Sequence, residues 1–294
     1  MPSTQSAQPL NTDTERPLSE PSIAFIGAGN MASSIIGGLV ESGHSPDAIC
    51  AADPSPESLE RLRRSLRRTA PVRTSTDNAT AVSGADVVIL AVKPQVMSQV
   101  LEGIAGPVAE AGALVISIAA GITIDSMRAR LGDSTAIVRC MPNTPALLGC
   151  GASALFANAR VDAAQRGHAE TILGAVGIVE WVPTEAALDA ITALSGSGPA
   201  YFFLFMEAMI EAGCELGLER ETATAMARQT ALGAARMAIE GDADLVELRR
   251  RVTSPGGTTQ AAIESFESDG LRDTVKRAMQ AAANRAVEMA RDMG

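Results

Sequence analysis

The residues with the most chemical promise fall into two clusters far apart in the chain. The first is Ile23-Ala24-Phe25-Ile26-Gly27-Ala28-Gly29-Asn30-Met31-Ala32, an apolar run closed by two glycines, with helical spacing continuing to Val40. This is the G-x-G-x-x-G/A pattern of a dinucleotide site. Gly27 permits the tight turn, Gly29 lets backbone approach a pyrophosphate, and Ala32 lets the helix lie close on the strand. The helix start then turns free N–H groups and a partial positive charge toward phosphates. The bland alternative is a glycine turn that only packs. Asp53, closing the expected strand Ala48–Ala52, lies where a ribose-binding carboxylate belongs. It can accept from a free ribose hydroxyl and repels a 2′-phosphate, which leans toward NAD. Arg61, Arg63 and Arg64 are either a phosphate partner or a solvated helix face, so NADH and NADPH both stay open.

The second cluster is Thr253-Ser254-Pro255-Gly256-Gly257-Thr258-Thr259-Gln260, set immediately before the helix expected over Ala261–Phe266. Glycines uncover backbone N–H groups at a helix start, and threonine hydroxyls lie beside them, so a small anion such as a carboxylate fits. The competing reading is a turn with Thr258 or Thr259 as N-cap.

Between the clusters, strands and helices alternate. Asp86–Val92 reads as a buried strand that delivers Lys93-Pro94 to the carboxyl edge of a parallel sheet, where ligands collect. Lys93 there either reaches cofactor or is a solvated loop lysine. Leu114–Ile118 runs into Ala119-Ala120-Gly121, small enough for a nicotinamide to lie against backbone. Ala136–Cys140 ends in Met141-Pro142-Asn143-Thr144-Pro145, whose two prolines stiffen the loop. Asn78 is either an N-cap or a ribose contact. The alternation stops after Ile178–Val182, and Pro183-Thr184-Glu185 marks a boundary.

Beyond it only helices are expected: 200–216, 221–240, 244–252, 261–266 and 271–293, with Ser195-Gly196-Ser197-Gly198-Pro199 as a flexible turn. The helix from Ala200 to Leu216 is apolar nearly all round and needs burial on every side, which points to a second subunit. The expected fold is therefore an α/β N-terminal Rossmann-type dinucleotide-binding domain over 21–184, followed by an all-α C-terminal dimerisation domain over 185–294. Residues 1–20, rich in Ser, Thr, Pro and Gln, read as a disordered tail without the apolar core of a secretory signal.

Composition narrows the partners. The chain has 294 residues, 46% hydrophobic and 20% charged, with net charge -10, which argues against nucleic acid. The most apolar run, Ala200–Ile210, is about half a membrane span and contains Glu207. Cys50, Cys140, Cys150 and Cys214 show neither C-x-x-C pairing nor neighbouring histidines, so no metal site is expected and the compartment reads as cytoplasmic. Two histidines, His44 and His168, and one tyrosine, Tyr201, leave few proton donors for reducing a ketone. An imine needs less help, because it is basic enough to carry its own proton near neutral pH.

Taken together, Phe25–Met31, Ala91-Val92-Lys93-Pro94, Ser117–Gly121, Arg139–Pro145, Ser195–Tyr201 and Val252–Thr259 closely resemble the pyrroline-5-carboxylate reductases over nearly everything after Glu20. The resemblance implies the last step of proline biosynthesis, NAD(P)H-dependent reduction of the cyclic imino acid 1-pyrroline-5-carboxylate to L-proline. It implies cofactor contacts from Ile26, Gly27, Ala28, Gly29, Asn30, Met31, Asn78, Ala91, Val92, Lys93, Pro94, Ile118, Ala119 and Ala120, beside the Asp53 read above. It also implies that Thr258 and Thr259 hold the substrate, with Thr259 on the ring nitrogen as the catalytic contact. Ser254, Gly256 and Gly257 would shape the loop, and Glu185 would be a substrate-side carboxylate. An interlocked dimer follows, often assembled into a decamer. The pattern departs at Arg250 and Arg251, where many relatives carry an acidic residue and an amide. Two other readings stay open: a β-hydroxyacid dehydrogenase, which wants a helical lysine after the Gly-rich turn, and a non-catalytic dinucleotide sensor.

Overall fold

The computed structural model describes residues 20–66 and 71–293. The first part runs β1 (Ile23–Ile26), α1 (Asn30–Glu41), β2 (Ile49–Ala52), α2 (Pro56–Ser65), β3 (Arg73–Ser75), α3 (Asn78–Val82) and β4 (Val87–Leu90). It continues through α4 (Met97–Ala111), β5 (Leu114–Ser117), α5 (Ile124–Leu131), β6 (Ile137–Met141), β7 (Gly151–Ala157), α6 (Ala163–Gly174) and β8 (Gly177–Trp181). These strands make one sheet in the order β3-β2-β1-β4-β5-β6-β7-β8. Strands β1 to β6 are mutually parallel, β7 runs antiparallel to β6, and β8 is parallel to β7.

The sequence pattern of this sheet has a simple cause. β1, β2, β4 and β5 are buried at every position, because crossover helices cover both faces of a parallel sheet and leave no solvated side to alternate toward. One face packs Phe25, Ile89 and Ile116 against Ile35, Ile36 and Leu62 of α1 and α2 and Ile172 of α6. The other packs Ile26, Val88 and Val115 against Leu101 and Ile104 of α4 and Met127 of α5. The chain steps outward from β1 to β2 and β3, then returns to place β4 on the other side of β1, so β1 ends between β2 and β4 with α1 rising from the same edge.

Two strands carry no clear signal in the sequence. β3 is three residues long and polar, and β7 (Gly-Ala-Ser-Ala-Leu-Phe-Ala) is built of residues with little strand preference. Both are recruited by neighbours. The strands read from sequence start and end within two residues of those observed.

From 187 onward the chain is helical: α7 (Ala187–Ile191), α8 (Gly198–Glu215), α9 (Arg220–Glu240), α10 (Leu245–Arg251), α11 (Thr258–Ser268) and α12 (Leu271–Met293). The stretch read as a flexible turn is instead a wide helical turn of π type over Thr192–Gly196. It leads directly into α8, with the Ser197 N–H donating to the Thr192 carbonyl at 2.8 Å. Asn143 pins it, donating from Nδ2 to the Ser195 carbonyl at 3.0 Å while its Oδ1 accepts from the Ala152 N–H at 2.9 Å. The expected tail over 1–19 lies outside the described residues. Its last residue, Glu20, belongs to the folded part: its carboxylate accepts from the Ser45 N–H and lies 3.3 Å from His44 Nδ1. Among the described residues no helix is long and apolar enough to cross a membrane.

Candidate active site

At the carboxyl edge of β1, β2 and β4 lies a groove of about 650 Å3. Gly27, Gly29, Asp53, Asn78, Ala91, Val92 and Lys93 line it, all of them singled out from sequence, together with Ser58, Arg61, Thr76 and Gln99. The fingerprint turn has the geometry a dinucleotide requires. Gly27 sits at φ +101°, and a Cβ there would lie 2.6 Å from the Ala91 carbonyl oxygen. Around Gly29 a Cβ would meet nothing within 4 Å, so the backbone is open to a phosphate. Gly29 caps α1 without any side-chain hydrogen bond, and no acidic residue stands in the first turn. The first N–H groups of α1 are thus left for an anion, and this backbone fits the pyrophosphate of NADH or NADPH.

Asp53 has a second task that spacing alone did not reveal. Its Oδ2 accepts from the Ala28 N–H at 3.0 Å and its Oδ1 from the Ser55 N–H at 2.9 Å. The carboxylate therefore tethers the glycine turn to the start of α2 while still lining the groove. The arginine cluster divides. Arg61 lines the groove, donating to Ser58 Oγ at 2.8 Å, whereas Arg63 turns to Thr74 and Arg64 to Glu60. Asn78 is not the N-cap of α3. Asp77 is, its Oδ2 accepting from the Thr80 N–H at 3.0 Å, and hydrogen bonds from Thr80 hold its carboxyl below the ordinary value. Asn78 is left facing the groove.

The remaining cofactor candidates flank this groove without lining it. Ile26 is fully buried at the end of β1, and Ala28 is buried in the turn. Asn30 and Met31 open α1. Pro94 starts a short 3-10 turn after Lys93. Ile118, Ala119 and Ala120 follow β5, the strand beside β4, with the Ile118 N–H donating to the Leu90 carbonyl at 3.1 Å.

The second cluster also departs from the bland reading. Helix α11 begins at Thr258 with Gly257 as N-cap, and no side chain caps it. Thr258 and Thr259 occupy the first two helical positions, so their hydroxyls and the first-turn N–H groups share one end. The Gly256 N–H is met by Gln260 Oε1 at 2.7 Å, and Ser254 accepts the Gly257 N–H through its carbonyl at 3.0 Å. Arg250 and Arg251 are both drawn to Glu247, at 2.7 and 2.8 Å, and those bonds hold the Glu247 carboxyl below the ordinary value. No residue of 253–259 lines the groove of the same chain.

Glu185 follows β8, the last strand of the sheet, and stands just before α7. Its Oε1 accepts from Arg139 Nη1 at 3.0 Å and from the Ile124 N–H at 2.9 Å. Arg139 is a buried residue of β6, and its Nη2 lies 3.9 Å from Asp189 Oδ1, which has no hydrogen-bond partner among the described residues. The sequence showed Arg139 only as a letter in a motif. An arginine inside an apolar strand was the available signal, since such a charge requires a partner.

Residues 185–289 match the family model described as pyrroline-5-carboxylate reductase dimerisation, and residues 22–121 match one described as NADP oxidoreductase, coenzyme F420-dependent. A pyrroline-5-carboxylate reductase of Pseudomonas aeruginosa is 52% identical over 277 residues, covering 94% of this chain and all of the relative. The chain belongs to the pyrroline-5-carboxylate reductase family. The enzyme of that name from Pasteurella multocida is 43% identical, over 91% of this chain and 97% of its own. Among solved structures, the pyrroline-5-carboxylate reductase of Coxiella burnetii superposes with a TM-score of 0.88 at 46% identity, covering 92% of this chain and 99% of that one. The Plasmodium falciparum pyrroline carboxylate reductase, solved with NADP bound, gives 0.79 at 28% identity, covering 93% and 100%. The fold is thus a Rossmann-type domain carrying the family's dimerisation region, and the protein is an oxidoreductase that self-associates.

Proposed function

We propose that this family member reduces 1-pyrroline-5-carboxylate to L-proline across two anion cradles, the turn at Gly27–Gly29 and the start of α11. The observation that carries this reading is the pair of uncapped helix starts, each opened by glycine and each free of an acidic first turn. One suits a pyrophosphate and the other a small carboxylate. A reduced nicotinamide, when bound, supplies a hydride.

The chain's own residues orient and hold. Asp53 keeps the glycine turn in place, and Asn78 and Lys93 present polar groups to the nucleotide. Ile118, Ala119 and Ala120 bring a smooth backbone surface to the same sheet edge for the nicotinamide. Thr258 holds the substrate carboxylate at the open helix start, with Ser254, Gly256 and Gly257 shaping the loop. Thr259 hydrogen-bonds the ring nitrogen, which enters already protonated. Hydride adds to the imine carbon, the C=N π pair moves to nitrogen, and a neutral secondary amine results that takes a proton from water. No general acid is needed, so the rate comes from alignment.

The two cradles come together in the self-associated protein. The helical region that bears α11 exposes Phe202, Phe203 and Leu204 in the isolated chain, an apolar face of the kind that a second copy covers. We divide the chain at 184/185 and place it in the cytoplasm, in keeping with four unpaired cysteines. Thr259→Ala should lower kcat/KM for the imine by about 10- to 100-fold while leaving the NADPH dissociation constant within about twofold of the parent. Steady-state kinetics beside fluorescence titration of the cofactor reads both, and unchanged turnover would remove Thr259 from the reaction.

A further inference from the structure

We propose that Arg139 is a positioning residue for the reaction: it acts through Glu185, holding that carboxylate so that its free oxygen meets the cationic end of the substrate. This rests on the imine-reductase reading above and extends it to a residue that touches neither substrate nor cofactor.

Three elements converge on one oxygen. Glu185 Oε1 takes Arg139 Nη1 from β6 at 3.0 Å and the Ile124 N–H from the start of α5 at 2.9 Å, while Glu185 itself enters α7. Oε2 makes no hydrogen bond among the described residues, and the side chain keeps 26% of its surface exposed. The carboxylate is therefore gripped by one oxygen and open at the other. The grip also reaches the nicotinamide side. Arg139 pairs with Ser117 on β5, directly before Ile118–Ala120, and Ile124 ends the loop that those residues begin.

A purely structural strut explains this arrangement poorly. Arg139 lies on the sheet face shared with Leu90 and Ile137, its side chain only 8% exposed. Replacing a buried ion pair with apolar side chains of similar volume is commonly neutral or stabilising. Asp189 makes the pairing less economical still, since it adds a second carboxylate, 3.9 Å from Nη2, with an oxygen left unbonded. One guanidinium facing two carboxylates is a costly way to join a strand to a helix. It is an effective way to hold Glu185 at one angle, because a buried arginine hydrogen-bonded through Nη1, with a second carboxylate facing Nη2, has little freedom to turn. Substrate and product share the chemistry that such a carboxylate recognises: a protonated imine before the reaction and a secondary ammonium after it.

The test is a double-mutant cycle in the full-length protein. Arg139→Met should raise KM for pyrroline-5-carboxylate, and the inhibition constant for proline, by about 10- to 100-fold, the cost of a misplaced contact. The NADPH dissociation constant should stay within about twofold. Glu185→Gln alone should raise the same constants, because it keeps an oxygen for Arg139 and Ile124 but removes the charge. In the Glu185→Gln background, Arg139→Met should add less than about threefold, the non-additivity of residues acting in series. Full additivity, or an unchanged KM in Arg139→Met, would overturn the proposal. If Arg139→Met does not fold, Arg139→Lys decides: a KM raised by more than about threefold at unchanged cofactor affinity supports the role, and a KM equal to the parent's refutes it. A parent protein that fails to reduce the imine would instead refute the function proposed above, so the two failures are distinct.

Discussion

The two halves of this molecule use apolar residues in opposite ways. In the sheet, β1, β2, β4 and β5 bury every side chain within one copy of the chain. In the helical half, α10 and α11 bury none, and α8, among the most apolar helices, buries only Gly198. Most of the large hydrophobic side chains left exposed lie from Leu194 onward, Phe202 at 71% among them. The sheet domain is a finished object, whereas the helical region is half of one. Cofactor binding can accordingly belong to a single chain, while the proposed substrate site would be completed by assembly.

The sharpest way to break this contrast is to spoil the exposed face. Phe202→Glu combined with Phe203→Glu should dissociate the assembly, since aromatic anchors at an interface centre contribute roughly 2 kcal/mol or more each. Turnover should then be lost while NADPH still binds. Sedimentation velocity with a cofactor titration tests this, and an active monomer would show that each chain is self-sufficient.

Gly27→Ala attacks the other half. A left-handed backbone costs an L-residue roughly 1 to 3 kcal/mol, and the added Cβ would press on the Ala91 carbonyl. Cofactor affinity should fall at least tenfold with the oligomer intact, as calorimetry would reveal. A smaller effect is expected from Asp53→Ser, which should shift preference from NADH toward NADPH by removing a charge near the ribose. Because Asp53 also tethers Ala28, affinity for both cofactors should weaken somewhat. An unmoved ratio in paired kinetics would relieve Asp53 of the selective role.

The smallest effect concerns thiols. Burial pushes Cys140 up to about 12, against a weaker opposing hydrogen bond from Ser153, and burial raises Cys50 as well. Alkylation at pH 8 should mark exposed Cys150 and spare both buried thiols. Below the ordinary thiol value of 9.0, folded and unfolded chains both keep the Cys140 proton. From there toward 12 only the unfolded chain loses it, so stability should decline as pH rises through that window. Chemical denaturation at stepped pH would detect the slope, and its persistence in Cys140→Ala would assign it elsewhere.

The sequence determined a good deal by local rules. Buried parallel strands announce themselves as unbroken apolar runs, and glycines announce turns that no other residue tolerates, so β1, β4, β5 and the fingerprint were legible without coordinates. The uncapped start of α11 was half legible: glycines and threonines showed an anion site or a capped turn, and the backbone removes only the second, because Gly257 and not a threonine is the N-cap. β3 and β7 went unread because their residues have little preference of their own and become strands by pairing with neighbours. Asp53 as a tether, Asp77 rather than Asn78 as the cap, and the grip of Arg139 on Glu185 belong to tertiary structure alone. Each is a contact between residues distant in the chain or a choice between adjacent candidates, and side-chain hydrogen bonds of that kind leave no periodic trace for a reader of the sequence.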